Sequence, residues 1–539
     1  MLPDTLLFCS LCVLVLVAAF VESRRFLTWA CIGTVLAYLW GVSYQGGHQD
    51  ALKLMANAHL QSLFAFDASA QGMKGFAGLV TLAVLFFLDA VTFKQPSEHG
   101  KEGSLIVLFG LLGASLMVGA SHFLMSYLGL ELLSLSLVVL IAWGLETPQL
   151  EAGVKYFILS SLASGILLFG VSLIYGATGH LNFVSSAMVR YPFHDMYVVG
   201  QIFLVAGVAF KLGWVPFHFW ISDVYASARW YTIVALGSLS KIGVVGFMLR
   251  LFDAGVFASN GPAWAVQLMI VLSVLSILIG NILAIQQKSL RRLLAYSSVA
   301  NMGFLGLALV CKSGAPFYLA VYVLNTLPIA AVLFTEFGQY LEASLDDLKG
   351  FGLRHPYQGI VLTFAMLSLA GIPMTPGFWA KWHVFKEFFS RYSPLFGVFI
   401  VLGTLIGTFY YLRVVKFLYA GSDEQSPATD GISFTQRHEA EAGASGAFSY
   451  ALLLLGISAL LLWCAASPDR WLNWSGRITG EPRVVSLDDS RKTPVSPVTT
   501  LNKGNPVPII IPPSGFYKDG RRSVVRILPP QRREDMHAR

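Results

Sequence analysis

Between Thr5 and Ala466 the chain returns again and again to apolar stretches of about 20 residues, separated by short charged or Pro/Gly-rich gaps. A helix of that length crosses the ~30 Å hydrocarbon core of a bilayer, whereas a membrane-barrel strand needs only ~10 residues. In lipid every backbone N–H and C=O must be paired within the protein, which leaves helices for runs this long. Only 12% of the residues are charged, against roughly 25% in soluble domains. An all-α, multi-pass membrane protein follows.

The gaps predict fourteen helices, near residues 5–21, 26–44, 74–92, 104–120, 121–144, 154–176, 197–220, 231–252, 262–285, 293–311, 314–337, 358–390, 394–419 and 448–466. The boundary between the fourth and fifth is weak, because Ser121-His122 is the only polar break there. The first run has no basic residue before it and no cleavage signal after it, so it reads as a retained helix rather than a signal peptide. An even count puts both termini on one side. Arg24, Arg25, Lys94, Lys101, Arg229, Lys288, Arg291, Arg292, Lys349, Arg354 and Arg437 fall in odd-numbered connections. The even-numbered connections hold far fewer basic residues, which places both ends outside the cytoplasm.

The net charge of +7 lies mostly in the tail, where residues 467–539 carry 13 Lys/Arg against 7 Asp/Glu, a surplus of 13 − 7 = 6. That location argues against a nucleic-acid partner. The Pro-rich, basic tail reads as solvated and disordered, with anionic lipid or a partner subunit as its alternative contact. Five scattered cysteines make no disulfide framework, and Cys9-x-x-Cys12 lacks a second pair or nearby His, so it reads as helix packing.

Two helices look broken. Phe210-Lys211-Leu212-Gly213-Trp214-Val215-Pro216 interrupts the seventh, and Gly371-Ile372-Pro373-Met374-Thr375-Pro376-Gly377 interrupts the twelfth just before Lys381. Proline removes a backbone donor and glycine loosens the turn; in lipid such backbone survives only where protein or cavity water satisfies it. Interrupted helices at corresponding places in two halves point to inverted repeats.

Glu131, Lys211, Lys241 and Lys381 each sit inside an apolar span. An ionisable side chain at mid-bilayer costs roughly 2.5–3.5 kcal/mol on insertion scales, so a row of them marks an ion path. Lys211 and Lys241 are 30 residues apart, which fits neighbouring antiparallel helices, and Glu131 is expected beside Lys211. Burial disfavours a protonated amine and a nearby carboxylate favours it, so such a pair acts as a protonation switch. The alternative is a set of static pairs that fix packing, a weak account because buried pairs contribute little net stability. Lys155 lies near the predicted start of its helix, where snorkelling accounts for it. His218 suits a proton path or a packing role equally. Asp89, Glu336 and Arg413 read as interfacial or packing residues. No dinucleotide, Walker, haem or iron–sulfur motif is present. Any energy source must come from another subunit or an ion gradient.

The segments Leu130-Glu131-Leu132-Leu133-Ser134-Leu135, Lys155-Tyr156-Phe157-Ile158-Leu159-Ser160, Phe210-Lys211 with Val215-Pro216-Phe217-His218, Asp223-Val224-Tyr225, Ser240-Lys241-Ile242, Arg292-Leu293-Leu294-Ala295-Tyr296-Ser297-Ser298, Ala370-Gly371-Ile372-Pro373-Met374-Thr375 and Tyr411-Leu412-Arg413-Val414 carry a family resemblance. Over roughly Asp4 to Ala466 the chain resembles the antiporter-like subunits of respiratory complex I, the proton-pumping NADH:quinone oxidoreductase, and among them the N type. Lys381 on the broken helix disfavours the M type, and the lack of a long lateral helix after the fourteenth disfavours the L type.

The resemblance implies inverted repeats over helices four to eight and nine to thirteen. It divides the chain into residues 1–103, repeats at 104–252 and 253–419, a linker and helix at 420–466, and the tail at 467–539. It implies that Glu131 and Lys211 are the charge pair of one half channel, Lys241 the relay and Lys381 the lysine of the second, with Lys155 a further family lysine. NADH, FMN, iron–sulfur clusters and quinone are expected in partner subunits and no cofactor in this chain. M-, K- and J-type membrane subunits are the expected neighbours in a bacterial inner membrane, with periplasmic termini. A cation/proton antiporter subunit without electron transfer, and a structural relic, are the competing readings. Two departures stand out. Asn301 occupies the place of a usual histidine, and an asparagine orients water without taking a proton. Ser227-Ala228-Arg229-Trp230-Tyr231-Thr232 replaces a proline-containing link before the eighth helix, which leaves the approach to Lys241 to be fixed some other way.

Overall fold

A computed structural model describes residues 2–421 apart from 48–61, 66, 95–101, 144, 188–192, 258–262, 313, 338–343 and 393. Thirteen spans lie within the described residues: α1 Leu2–Phe20, α2 Arg24–Gly47, α3 Ala68–Lys94, α4 Gly103–Gly119, α5 Phe123–Ala142, α6 Thr147–Thr178, α7 as α7a His194–Leu212 and α7b Phe219–Ser227, α8 Trp230–Asp253, α9 Trp264–Gln286, α10 Leu290–Val310, α11 Ala315–Phe337, α12 as α12a Pro356–Ala370 and α12b Pro376–Arg391, and α13 Pro394–Tyr419. Eleven of these helices are long and apolar enough to cross a membrane, and α4 and α12a are shorter apolar helices. The chain is an all-α membrane protein. The expected fourteenth helix and the tail lie outside the described residues.

The α8 helix is the axis of the bundle. Every residue from Trp230 to Phe252 is buried, and α8 packs against α3, α4, α5, α7a, α10 and α11. Small residues let neighbouring helices approach closely, as membrane packing without a hydrophobic drive requires. A Cβ on Gly113 of α4 would sit 2.7 Å from the Gly129 carbonyl of α5, and one on Gly170 of α6 would sit 2.7 Å from the Gly200 carbonyl of α7a.

The weak break between the fourth and fifth spans is a short extended link. Ala120 bridges to Phe64 and His122 to Asn182, and Ser121 N–H donates to the Leu63 carbonyl at 2.9 Å. One boundary moves. The sixth helix starts at Thr147 instead of near 154, because Pro148 occupies its first turn where a missing N–H costs nothing. Lys155 is therefore in the third turn and not at the helix end.

Both expected breaks are present, and they share one pattern. Gly213 takes a left-handed φ of 77° and Gly371 a φ of 85°. Gly213 N–H donates to the Ala209 and Phe210 carbonyls and Trp214 N–H to Ala209; Gly371 N–H donates to Leu367 and Ser368 and Ile372 N–H to Leu367. Each is a glycine-terminated helix end of the kind that satisfies the earlier carbonyls and leaves the last two open. Thr375 caps the start of α12b by accepting from Phe378 N–H at 3.4 Å, with Pro376 in the first turn.

Candidate functional site

The two open carbonyls at each break are the seats of two buried lysines. Lys241, on α8, donates from Nζ to the Lys211 carbonyl at 3.0 Å and the Leu212 carbonyl at 3.1 Å. Lys381, on α12b, donates to the Leu369 carbonyl at 2.6 Å and the Ala370 carbonyl at 3.0 Å. With Gly213 matched to Gly371, Lys211 falls on Leu369 and Leu212 on Ala370, so the two ammonium groups occupy equivalent seats. Both lie at the negative end of a half-helix dipole. Aromatic faces complete each site: Trp220 lies 5.7 Å from Lys241 Nζ and Phe304 lies 5.1 Å from Lys381 Nζ. An ammonium has three donors and a neutral amine has two. A two-carbonyl seat is therefore filled in either protonation state, which is what a lysine that gains and loses a proton needs.

Lys211 is held differently. Its Nζ donates to Ser134 Oγ at 2.6 Å on α5 and to Ser160 Oγ at 2.7 Å on α6. Ser134 is free to accept because its own proton goes to the Leu130 carbonyl at 2.6 Å. Glu131 is near enough to Lys211 for its charge to act on the amine, but no hydrogen bond joins the two, and the buried Oε1 of Glu131 has no hydrogen-bond partner. The reason is that Glu131 and Ser134 share one turn of α5, and the shorter serine takes the lysine. Lys211, Lys241 and Lys381 are 3%, 2% and 7% exposed.

The remaining expected residues divide. Lys155 is half-exposed on the outer surface of α6, paired with Glu151 at 2.7 Å and Asp223 at 3.6 Å. His218 is buried at the start of α7b, its ring 4.9 Å from Phe219 and 6.4 Å from Tyr296. It joins none of the three lysines. Asn301 lies in the middle of a polar cluster on α10, bonded to Tyr318 and Tyr411, and shares a cavity with Lys381, Tyr318, Tyr322, Asn325 and Ser368. Arg413 donates to the Ile285 carbonyl at 3.1 Å, a packing role, and the Glu336 side chain lies outside the described residues. Sequence reasoning missed Ser134, Ser160, Tyr322 and Asn325 as site residues. Their signal was polarity at helical spacing from a charged residue, which packing serines share.

The altered link before α8 is closed by stacking in place of a proline. Arg291 of α10 lies 4.5 Å over the Trp230 ring and donates to the Ala228 carbonyl, while Arg229 faces Glu146 at 4.0 Å. Buried Trp230 thereby fixes where α8 begins. Among the described residues no three His, Cys, Asp or Glu side chains converge as metal ligands.

Residues 120–407 match the family described as NADH:quinone oxidoreductase/Mrp antiporter, TM. The chain is 38% identical over 432 residues to NADH-quinone oxidoreductase subunit N of Thiobacillus denitrificans, covering 78% of this chain and 88% of that one. It belongs to the subunit N family of NADH-quinone oxidoreductase. Among solved structures it is similar to a chain of respiratory complex I from Thermus thermophilus, with 27% identity, a TM-score of 0.70, and coverage of 87% of this chain and 98% of that one. A chain of the Mrp complex from Dietzia shares the fold at 19% identity and a TM-score of 0.75, covering 89% and 97%. As a subunit N, the chain is an antiporter-like membrane subunit of a translocase, and its partners are other membrane subunits of that complex.

Proposed function

We propose that this chain moves protons through its centre along Lys211, Lys241 and Lys381, with Glu131 biasing Lys211 by charge, while quinone reduction proceeds elsewhere in the complex. The observation that carries the reading is the pair of equivalent seats at the two helix breaks, each holding a buried amine on two backbone carbonyls. Such a seat accepts both protonation states without repacking, which a static ion pair does not require.

On this reading the repeats run over residues 104–252 and 253–419, preceded by a unit at 1–103 and followed by the segments 420–466 and 467–539. NADH, FMN, iron–sulfur clusters and quinone belong to partner subunits, and the neighbours in the bacterial inner membrane are of the M, K and J types. Both termini face the periplasm, and Lys155 with Glu151 and Asp223 lies on a face turned to a neighbour. The test is Lys211→Met in the intact complex. The expected result is normal assembly and a lowered ratio of protons moved to electrons transferred. An unchanged ratio in the assembled variant refutes the reading.

A further inference from the structure

The stretch between Lys241 and Lys381 contains two hydroxyl clusters, and they differ in whether their hydrogen bonds can reverse. In the first, the Asn301 amide is fixed by its surroundings. The Ser297 carbonyl, which can only accept, lies 2.8 Å from one amide atom, so that atom is the nitrogen. The nitrogen's second hydrogen reaches Tyr411 OH at 3.0 Å. The amide oxygen then faces Tyr318 and takes that hydroxyl's proton at 2.9 Å. Tyr411 OH and Ser297 Oγ share a further hydrogen bond at 2.5 Å. The order Tyr318 to Asn301 to Tyr411 is polarised in one direction. A carboxamide has donors on nitrogen and acceptor pairs on oxygen and cannot exchange them. A proton entering at Tyr318 has nowhere to go.

The second cluster has no such fixed member. Tyr322 OH lies 2.9 Å from Ser298 Oγ, and Tyr225 lines the same cavity as Tyr322. A hydroxyl both donates and accepts, and its hydrogen rotates to suit. Its position is also a bridge. Tyr225 and Tyr322 face Gly237 of α8, which is four residues before Lys241 and so on the same face of the helix. Tyr322 lines a cavity of about 30 Å³ together with Tyr225, Gly237 and Ser297, space for one or two waters. It also lines the cavity that holds Asn301, Asn325 and Lys381. Tyr322 thus stands between the helix of one lysine and the water space of the other.

We infer that proton exchange between Lys241 and Lys381 runs through the Tyr322, Ser298 and Tyr225 hydroxyls, and that Asn301 closes the parallel branch through Tyr318 and Tyr411. This rests on the proposed lysine route. The step balances without charging a tyrosine. A proton accepted by the Tyr322 oxygen from water on the Lys381 side is matched by release of its own hydroxyl proton to Ser298, of the serine proton to Tyr225, and of the Tyr225 hydroxyl proton to water in the cavity it lines beside Gly237. Rotation of the three hydroxyls resets the chain.

The experiment uses the intact complex in proteoliposomes, with assembly checked by quinone reductase activity and subunit content. Tyr322→Phe is expected to lower the proton-to-electron ratio and Tyr318→Phe to leave it at the wild-type value. Ser298→Ala removes the same branch without touching the aromatic packing and is expected to match Tyr322→Phe. Asn301→His places a reversible donor and acceptor in the closed branch. In the Tyr322→Phe background it is expected to restore at least half of the lost ratio, with a new pH dependence between about pH 6 and 7, where an imidazole titrates. Equal losses for Tyr318→Phe and Tyr322→Phe overturn the inference, as does a Ser298→Ala complex that pumps normally. Absence of rescue overturns the role given to Asn301. Lys381→Met separates the levels: if it retains the full ratio the lysine route itself fails, and if it loses the ratio while Tyr322→Phe does not, only this inference fails.

Discussion

Gly371→Ala tests whether the seat of Lys381 must be held to within an ångström. Two costs add at this position. The left-handed φ of 85° strains any residue with a Cβ by about 1–2 kcal/mol. The new Cβ would also lie 2.9 Å from Lys381 Cδ, roughly 1 Å inside ordinary carbon–carbon contact. The lysine stem must move by about that amount, and its 2.6 Å bond to the Leu369 carbonyl then stretches past the ~3.2 Å limit of a good hydrogen bond. Gly179 supplies the control, since its φ is 72° but a Cβ there meets nothing within 4 Å. Gly179→Ala carries the backbone cost alone. Gly179→Ala is expected to lower the stability of the assembled complex by about 1–2 kcal/mol, and Gly371→Ala by more than that, read by thermal denaturation. Only Gly371→Ala should slow proton transfer, by on the order of tenfold to a hundredfold for a ~1 Å displacement. The assay is proton uptake into proteoliposomes per NADH oxidised. Equal pumping in the two variants would refute the argument from position.

Removing both acceptors of Lys211 with Ser134→Ala and Ser160→Ala leaves a buried amine unbonded, a loss of about 1–3 kcal/mol; the double variant should pump as poorly as Lys211→Met, and each single variant less poorly, in the same assay. Asp67, which precedes α3, would have its carboxyl pushed up by burial, but the two bonds and the charge of Arg250 hold it below the ordinary carboxylate range. A lowered carboxyl contributes stability that is complete above its unfolded value near 3.9 and is lost as pH falls further. The stability difference between wild type and Asp67→Asn should therefore stay flat from about pH 5 to 8, read by denaturation midpoints, and a slope in that window would contradict the assignment. Trp230→Ala should cost about 3–5 kcal/mol, because it empties a buried ring site and removes the face on which Arg291 stacks; a denaturation midpoint close to wild type would show that the ring does not fix the start of α8.

Much of this was legible in the residues because bilayer physics is strict. Apolar length set the spans, and Gly213-x-x-Pro216 and Gly371-x-Pro373 marked both breaks, since few other combinations interrupt a helix in lipid. The buried lysines announced themselves by their cost. What the residues did not disclose was who holds each amine. Lys241 and Lys381 are seated on backbone carbonyls, and every residue has one, so no side-chain motif reports the seat. Lys211 bonds to Ser134 and Ser160, whereas opposite charge alone had pointed to Glu131. The start of α6 was placed too late because the charged residues ahead of the apolar run read as a gap, although Pro148 is well suited to a first turn. Asn301 was visible as a departure, but its fixed polarity depends on Tyr318 and Tyr411 from two other helices.

The most direct measurement is the proton-to-electron ratio of the assembled complex carrying Lys241→Met, reconstituted in sealed vesicles. Lys241 is the amine seated at the first break and the one nearest the axis of the bundle, so its loss should interrupt the route while quinone reduction continues. The account predicts a ratio well below wild type with subunit content intact. A wild-type ratio in that complex would contradict it.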